Sequence, residues 1–292
     1  MSMRVGDGPS PVVQLRRLRA ELRKAREEAC LTQEQVAGAM EWSPSKVIRI
    51  EAGISRISAN DLKVLLPHLG IVDKKRTEEL LELARRARAR SWWSSEYRGI
   101  ASKDFLQFVE YEEAAAVTSN FEPLLVPGLL QTEEYARAVI RQFGQRPTTE
   151  RVNALVELRM TRQELLQRPD SPQLNFILDE AVVRRLVGGK TVMGRQVRHI
   201  MQIASMPKVM IEVVPFSAGV HPGMHGPFVV IEFPDPEDAD VLYLENPRGD
   251  VVKFEVPEDV QAWQEAFLQL RAMSLGPEGS VTYLGKVADE MS

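Results

Sequence analysis

The most constraining feature of the sequence is a pair of short helical segments between residues 31 and 51, each opened by a strong start signal. Thr32 is a good N-cap, and Gln35, three residues later, can complete a capping box for the first helix. Ser43 followed by Pro44 predicts the start of the second helix, because serine caps a helix and proline suits its first position. A turn of only three or four residues separates the two helices, which is typical of a compact helix-turn-helix arrangement.

Apolar residues at helical spacing extend this pair into a predicted domain of five helices. Leu18 and Leu22 are four residues apart and belong to an apolar face that precedes the pair. In the second helix of the pair, Val47 and Ile50 are expected to face inward, and Gly53 is expected to end the helix in the left-handed conformation. The other three helices are predicted at about residues 15–29, 58–69 and 74–90, and either Ser58 or Asn60 is expected to begin the second of these.

The region from Leu15 to Leu69 resembles the Xre family of DNA-binding domains, which includes the Cro and lambda repressors. The resemblance implies that residues 11–72 form a DNA-binding domain and that residues 73–96 are a basic helix and linker. The small residues Ala37 and Ala39 are expected to let the two paired helices approach closely. The matching residues are Leu22-Arg23, Arg26, Leu31-Thr32-Gln33, Val36-Ala37, Ser43, Val47, Arg49-Ile50-Glu51 and Gly53.

The resemblance also implies which side chains contact DNA. Gln33 occupies a position at which the family contacts a phosphate, and Ser45, Lys46 and Arg49 lie on the exposed face of the recognition helix. Arg49 can make a bidentate contact to guanine, and Ser45 can bond several base edges. The expected DNA-contacting residues are Thr32, Gln33, Ser43, Pro44, Ser45, Lys46 and Arg49.

The sequence departs from the family pattern at two places in this region. Pro44 stands where relatives often have a base-reading glutamine, so it can offer only apolar contact, for example to a thymine methyl group. Glu41 and Trp42 occupy the turn where relatives often have glycine and an apolar residue, and a glutamate there predicts mild backbone strain. The alternative for the whole domain is a helical bundle that binds protein instead of DNA.

Charge is divided unevenly along the chain. Residues 1–90 carry a net charge of +6, whereas residues 91–292 carry −10. Affinity for the phosphate backbone depends on local positive charge, so the N-terminal part is predicted to face DNA. The arginine-rich stretch 85–90 is interpreted as a solvated helix face that leads into the linker.

The chain carries no sequence signal for export or for membrane insertion. Its single cysteine, Cys30, cannot form an internal disulfide, which fits a reducing compartment. No apolar run reaches the ~18–20 residues needed to span a bilayer, and residues 1–10 lack the apolar core of a signal peptide. These features predict a cytoplasmic protein without membrane association.

Residues 97–292 are predicted to form a separate α+β domain with a small, mainly antiparallel sheet, after a boundary at 91–95. The last three predicted strands are separated by Pro, Asp and Gly and read as an antiparallel meander. The predicted strands are 174–178, 209–214, 228–233, 241–244 and 251–256. The predicted helices are 103–118, 129–142, 149–168, 190–205, 258–273 and 277–291, with an extended piece at 121–130.

Several segments of this region are similar to a domain of unknown function that occurs behind Xre-type domains in high-GC bacteria. Proteins with this arrangement are often labelled antitoxin-like regulators, because a small partner protein is commonly encoded beside them. The resemblance extends from about Tyr97 to the end of the chain. The segments that carry it are EPLLVPGLLQTEEYARAV, LDEAVVRR, VVPFSAGVHPGMHGPFVVIEFPDP and the two closing helices.

Two patterns in the C-terminal region resemble phosphate and metal sites, and each lacks a required part. Residues 187–191 end like a phosphate-binding loop, but the first required glycine falls at Arg184 and the loop lies between predicted helices. His221 and His225 are separated by residues that exclude a helix, and no cysteine or third histidine lies nearby to complete a zinc site. We therefore expect no metal and no cofactor.

A catalytic triad can be drawn from Ser217, either histidine, and Asp179 or Asp235. No nucleophile-elbow pattern supports this triad, and Asp179 with Glu180 is better suited to capping the helix through Arg185 than to acid and base catalysis. We therefore expect that the chain is not an enzyme.

The loop from Pro215 to Pro227 has two interpretations. It combines glycine-rich turns with polar and apolar side chains between two apolar strands, and loops often carry function. One interpretation is an effector or partner site, and the other is an irregular connection bonded to its own backbone. The candidate residues for such a site are Ser217, His221, Met224 and His225.

The sequence as a whole predicts a transcription regulator that binds operator DNA as a homodimer. The C-terminal domain is expected to dimerise and to bind a partner or an effector. The alternative is an antitoxin-like interaction protein that holds a small basic partner encoded nearby and regulates its own operon.

Overall fold

The computed structural model describes residues 11–51, 55–88, 96–97, 99–143, 147–235, 238–245, 251–254 and 257–291. The chain divides into two compact units, which comprise residues 1–96 and 97–292 and are called the N-terminal unit and the C-terminal unit. The predicted linker at 91–95 and the predicted helix end at Gly53 lie outside the described residues.

The described part of the N-terminal unit is helical. Its helices are α1 (Pro11–Glu28), α2 (Gln33–Ala39), α3 (Pro44–Glu51), α4 (Ala59–His68) and α5 (Lys74–Arg86). They lie where apolar spacing and start signals predict them. The fifth helix ends at Arg86, and residues 89 and 90 of its predicted extent lie outside the described residues.

Local side-chain caps explain where three of these helices begin. The Thr32 hydroxyl accepts a hydrogen bond from the Gln35 backbone N–H at 3.1 Å, and the Gln35 side chain accepts one from the Thr32 N–H at 2.8 Å. This is the predicted capping box. Ser58 caps α4 and Asp73 caps α5 in the same way, each accepting from the N–H three residues later. These contacts satisfy amides that would otherwise lack a partner.

One apolar cluster holds the N-terminal unit together. Ala37 is buried between α2 and α3, so the predicted close approach of these helices is confirmed there, whereas Ala39 is exposed. The turn is tightened by the Trp42 N–H, which donates to the Ala37 carbonyl at 2.8 Å. Truncation of a buried leucine in such a core costs about 2–5 kcal/mol. The cluster includes Leu18, Leu22, Val36, Val47, Ile50, Leu62, Leu66 and Leu80.

The C-terminal unit is built around a six-stranded mixed sheet, which corrects the predicted mainly antiparallel one. Its strands are β1 (Val117–Glu122), β2 (Gln173–Asp179), β3 (Val209–Val214), β4 (Phe228–Glu232), β5 (Val241–Glu245) and β6 (Val251–Phe254). Their order is β3-β2-β1-β4-β5-β6. β1, β2 and β3 are parallel, because helices connect them. The predicted antiparallel meander of β4, β5 and β6 is confirmed.

The sequence prediction is wrong mainly at the central strand β1, which it did not include. A helix was expected over residues 103–118, but it ends at Ala114 and the chain then enters β1. Thr118, Ser119 and Asn120 are polar and nevertheless buried. A short polar run such as this has no apolar period that would indicate a strand. β1 pairs in parallel with β2 and antiparallel with β4, so it joins the two halves of the sheet.

The helices of the C-terminal unit are α6 (Lys103–Ala114), α7 (Glu133–Phe143), α8 (Thr149–Arg162), α9 (Glu180–Arg184), α10 (Lys190–Ala204), α11 (Pro257–Met273) and α12 (Gly276–Glu290). The range of the short α9 is not among the predicted helices and α6 ends early, whereas the other helices lie at the predicted positions, with ends that differ by a few residues. Short 3-10 turns lie at Gly128–Leu130, Gln163–Gln167, Phe216–Ala218 and Pro222–His225. Among the described residues, no helix combines the length and the apolar character that a membrane span requires.

Both faces of the sheet are covered. Successive residues of a strand point to opposite faces, and in β2 Phe176 packs with α10 and α12 residues while Ile177 packs with α11. Over β5, the rings of Phe108 in α6 and Tyr243 lie 4.1 Å apart between centroids. The sheet is therefore the buried middle layer of the unit.

Candidate nucleic-acid interface

Helix α3 presents a distinct outward face. Val47 and Ile50 are buried in the core of the N-terminal unit. Because side chains three and four positions apart share a helix face, Pro44, Ser45 and the residues one turn further along point away from this core. The exposed residues of α3 are Pro44, Ser45, Ile48 and Arg49.

Arg49 is the most prominent charged group on this face. Its side chain is exposed, and it forms no ion pair or side-chain hydrogen bond with any residue of the described ranges. A guanidinium remains charged at all physiological pH values and presents a planar fork of donors. Ser45 lies one turn earlier on the same face, so a hydroxyl and a guanidinium stand next to each other in solvent.

Lys46 lies at the side of this face and has partners within the unit. Its Nζ is 3.1 Å from Asp61 Oδ2 at the start of α4 and 3.7 Å from the centroid of the Trp42 ring. The predicted exposed lysine is therefore half-buried. A phosphate or base contact by Lys46 requires it to keep or exchange these internal contacts.

Gln33 is held in place by a partly buried charge pair behind it. Arg26 donates to both carboxylate oxygens of Glu51, at 2.7 and 3.1 Å, and Gln33 Nε2 donates to Glu51 Oε2 at 2.7 Å. The bonds to Glu51 raise the pKa of Arg26, which keeps it protonated. An amide nitrogen has two hydrogens, so Gln33 retains one N–H for an external acceptor such as a phosphate.

Thr32, Ser43 and Glu41 shape the approach to α3. Thr32 is exposed, and its oxygen is used for the capping box while its hydrogen can still be donated. Ser43 is exposed immediately before α3, and its carbonyl accepts from the Lys46 N–H at 2.9 Å. Glu41 has a φ of 52°, so the turn places a glutamate in the left-handed region that favours glycine. The backbone strain predicted for a glutamate in this turn is therefore confirmed at Glu41.

Ile48 is a surface residue of α3 that the sequence interpretation did not select. It is 48% exposed, while the other two branched residues of the helix, Val47 and Ile50, are buried. The helical period that places Val47 and Ile50 inward also places Ile48 outward. The signal was therefore present in the sequence.

The residues proposed for a C-terminal effector loop are separated by the fold. His221 is buried, with Nε2 3.2 Å from Asp179 Oδ2 and its ring against Phe121. Ser217, Met224 and His225 are exposed. The loop is also pressed onto β1, because a Cβ at Gly223 would lie 2.2 Å from the Phe121 ring.

Contacts of Asp179 and Glu180 fasten this loop to the end of β2. Asp179 Oδ1 accepts from the Ala181 N–H at 2.7 Å, which is the predicted helix cap. Glu180 Oε2 accepts from the Phe216 N–H at 2.8 Å, and Glu180 Oε1 accepts from the Tyr283 hydroxyl. Burial is the largest single influence on the pKa of Glu180 and raises it, but the hydrogen bonds from Tyr283, the Phe216 N–H and Arg184 together outweigh burial, so the pKa is lowered. Both carboxylates therefore have structural partners.

The three chemical patterns weighed in the sequence are not assembled into sites. Within the described ranges, no group of three His, Cys, Asp or Glu side chains could hold a metal ion. Ser217 forms no side-chain hydrogen bond with either histidine in the part of the chain that the structure describes. Lys190 is the first residue of α10 and follows α9, so its loop joins two helices and no strand precedes it directly.

Comparison with known protein families identifies both regions. Residues 17–80 match a helix-turn-helix domain, a type of domain characteristic of DNA-binding regulators. Residues 105–286 match a domain of unknown function, DUF5753. No curated protein and no solved structure matches the chain. The matches confirm the predicted helix-turn-helix domain and the predicted C-terminal domain of unknown function. Because the second match covers more than half of the 292 residues, the chain belongs to the DUF5753 family, with a helix-turn-helix domain at its N-terminal side.

Proposed function

We propose that this chain is a sequence-specific transcription regulator that inserts α3 into the major groove of double-stranded operator DNA. The observation that carries the proposal is the outward face of α3, where Ser45 and Arg49 lie side by side and Arg49 has no partner among the described residues. Hydroxyl and guanidinium groups are suited to hydrogen-bond base edges. The protein is proposed to act in the cytoplasm as a regulator that is not an enzyme and requires no cofactor.

The distribution of charge along the chain supports the proposal that the N-terminal residues face DNA. The net charge of +6 in residues 1–90 attracts phosphates, and the −10 in residues 91–292 is repelled by them. Gln33 would contact a phosphate through its second N–H and fix the register of the helix, since phosphate contacts position a protein without specifying sequence.

The proposal includes a homodimer. One recognition helix covers one half-site, and two helices related by two-fold symmetry cover a pseudo-palindromic operator. The C-terminal unit would supply the dimer contacts and bind a partner or an effector. Sedimentation of the full chain, alone and with operator DNA, tests the stoichiometry. A single monomer per operator would contradict the dimer.

Base-by-base binding measurements test the DNA-binding proposal. Genome-wide mapping of bound sites first yields the operator, and gel-shift titrations then use an operator series with single base-pair substitutions. Arg49→Ala is expected to cost about 1–3 kcal/mol and to relax preference at one base pair. Gln33→Ala is expected to weaken all sequences about equally. Arg85→Ala on α5 removes the same charge away from α3 and should leave the base preference unchanged. Unchanged preference in Arg49→Ala would contradict the assigned face.

A second candidate function is that of an antitoxin-like protein that holds a small basic partner. It is favoured by the net charge of −10 in residues 91–292 and by the exposed apolar side chains of Phe216, Val220 and Met224. Coupling between partner and operator must be reciprocal, and a typical value is about 1–3 kcal/mol. The test titrates the purified product of the neighbouring gene against the protein–operator complex by fluorescence anisotropy. Binding that leaves operator affinity unchanged would contradict a regulatory role for the C-terminal unit.

A further inference from the structure

An apolar strip lies beside the polar strip on the outward face of α3. Pro44 and Ile48 are four residues apart, as are Ser45 and Arg49, and all four are exposed. Residues four apart lie almost directly above one another along a helix. The outward face therefore consists of a Pro44–Ile48 strip next to a Ser45–Arg49 strip.

The exposed part of the Ile48 side chain contributes little to the stability of the unbound protein. Almost half of its surface is exposed, whereas Val47 and Ile50 are about 95% buried in the core. Apolar surface that remains in water contributes no burial free energy to folding. An exposed isoleucine beside an unpaired arginine therefore has its surface available for a ligand that the arginine also contacts.

The chemistry of the major groove supplies one apolar feature at base edges, the 5-methyl group of thymine. We propose that Ile48, with Pro44 beside it, packs against a thymine methyl group in the operator half-site and is a specificity-determining residue. This inference rests on the proposed DNA-binding function. It predicts a thymine within one or two base pairs of the pair that Arg49 contacts, because the two strips lie side by side on one helix.

The side chains next to Ile48 indicate that its partner is DNA and not protein. A contact with protein would have to cover Arg49 and Ser45 as well as Ile48, because these side chains share one face of an eight-residue helix. Base edges in the major groove satisfy all three at once, with acceptors for the guanidinium, several partners for the hydroxyl and a methyl group for the isoleucine.

Deletion of single methyl groups from the DNA tests the inference. Each thymine of the operator is replaced in turn by deoxyuridine, which removes one methyl group and keeps base pairing. We expect one such replacement per half-site to weaken binding of the unmodified protein about four-fold, the size expected for one buried methyl group. In Ile48→Ala the same replacement should have less than about a two-fold effect. Ile48→Val, which keeps a branched apolar side chain, should retain most of the response.

Arg49→Ala serves as the matched control, because it should lose preference at its own base pair and keep the response to deoxyuridine. Ile48 is exposed, so the thermal midpoint of Ile48→Ala should equal that of the unmodified protein and exclude a folding defect. Sequence-specific binding with no response to any thymine replacement would overturn the inference alone, and so would an undiminished response in Ile48→Ala. Absence of sequence-specific binding would overturn the proposed function itself.

Discussion

Arg49 in the N-terminal unit holds its guanidinium in solvent, whereas Arg162 in the C-terminal unit is buried against Glu112. Arg162 Nε and Nη2 each lie 2.6 Å from a Glu112 oxygen, and the two side chains are only 7% and 3% exposed. The guanidinium of Arg162 also lies 4.9 Å from the Phe108 ring centroid. The same residue type thus forms part of a candidate DNA-binding face in one unit and part of the packed interior in the other.

The polar side chains next to Arg162 are also hydrogen-bonded within the unit, unlike the guanidinium of Arg49. Gln163 donates to the carbonyls of Gly128 and Gln131, and Arg159 donates to the Gln131 side chain at 2.6 Å. A Cβ at Gly128 would lie 3.0 Å from Arg162. These bonds hold the 3-10 turn at Gly128–Leu130 in place. The comparison shows that an arginine in the sequence does not by itself indicate a functional surface, because the fold decides whether its side chain is exposed or paired in the interior.

The largest expected effect is loss of the buried pair. Glu112→Gln should destabilise the C-terminal unit by about 3–5 kcal/mol, because Arg162 then loses the carboxylate that balances its charge in the interior. Thermal unfolding of the full chain measures the loss. Glu82→Gln, which breaks exposed pairs with Arg85 and Arg86, should change stability by no more than about 0.5 kcal/mol.

A double variant sharpens this prediction. Glu112→Leu combined with Arg162→Met removes both charges and should recover much of the lost stability, since an apolar pair leaves no unpaired charge. Arg49→Met should leave stability within about 0.5 kcal/mol of the unmodified protein. An equal loss of stability in Glu112→Gln and Glu82→Gln would show that the buried pair of the C-terminal unit matters no more to folding than the exposed pairs of the N-terminal unit.

Glu51 is expected to be the next most sensitive position. Glu51→Ala removes the carboxylate that accepts two hydrogen bonds from Arg26 and releases Gln33, so the N-terminal unit should lose about 2 kcal/mol, within the range for hydrogen bonds to charged groups. Glu27→Ala is the control, because Glu27 pairs with Arg26 and Arg23 from an exposed position. If the two variants unfold at the same temperature, the charge pair behind Gln33 does not stabilise the unit.

A smaller effect of opposite sign is expected at Glu41. Glu41→Gly should stabilise the N-terminal unit by about 0.5–1 kcal/mol, because relief of the left-handed conformation exceeds the entropy cost of glycine. Cys30, with a φ of 56°, provides a second such site, and Cys30→Gly should act in the same direction. Glu34→Gly within α2 should instead destabilise the unit. A loss of stability in Glu41→Gly would show that its side chain compensates the strain.

The smallest effect concerns His199 in α10. Burial lowers the pKa of His199 in the folded state, so the unfolded chain binds its proton more readily. Stability should therefore decrease as the pH falls below about 6.5, the unfolded-state value. The difference in thermal midpoint between pH 7.5 and pH 5.5 should be smaller in His199→Gln than in the unmodified protein. An identical difference in both proteins would exclude a contribution from His199.

Prediction from sequence succeeded where the determinants were local. The capping box joins Thr32 and Gln35, and the cap of α4 joins Ser58 and Asp61, so each signal lies within three residues. The inward positions of Val47 and Ile50 follow from the helical period alone. For these reasons the helices of the N-terminal unit and the outward position of Arg49 could be predicted without knowledge of the tertiary fold.

Prediction failed at β1 because its determinants are distant. Asn120 lies opposite Phe176 in β2 and Val229 in β4, residues far along the chain. Its strand is stabilised by pairing on both sides, so even a polar run can occupy the centre of a sheet. The internal contacts of two candidate site residues could not be predicted for the same reason, since their partners are distant in sequence. Lys46 pairs with Asp61 in a different helix, and the buried His221 contacts Asp179 and Phe121.

The sequence alone determined the helix-turn-helix order, the face of α3 that points outward and the division of charge, because helix period, capping and residue charge are local properties. Only the tertiary structure decided which charged groups are free. It pairs Arg162 with Glu112 and Arg26 with Glu51 across long stretches of chain, and it leaves the Arg49 guanidinium without an ion pair among the described residues. The physical reason is that pairing and desolvation depend on which residues meet in space, and that is set by the packing of the whole unit.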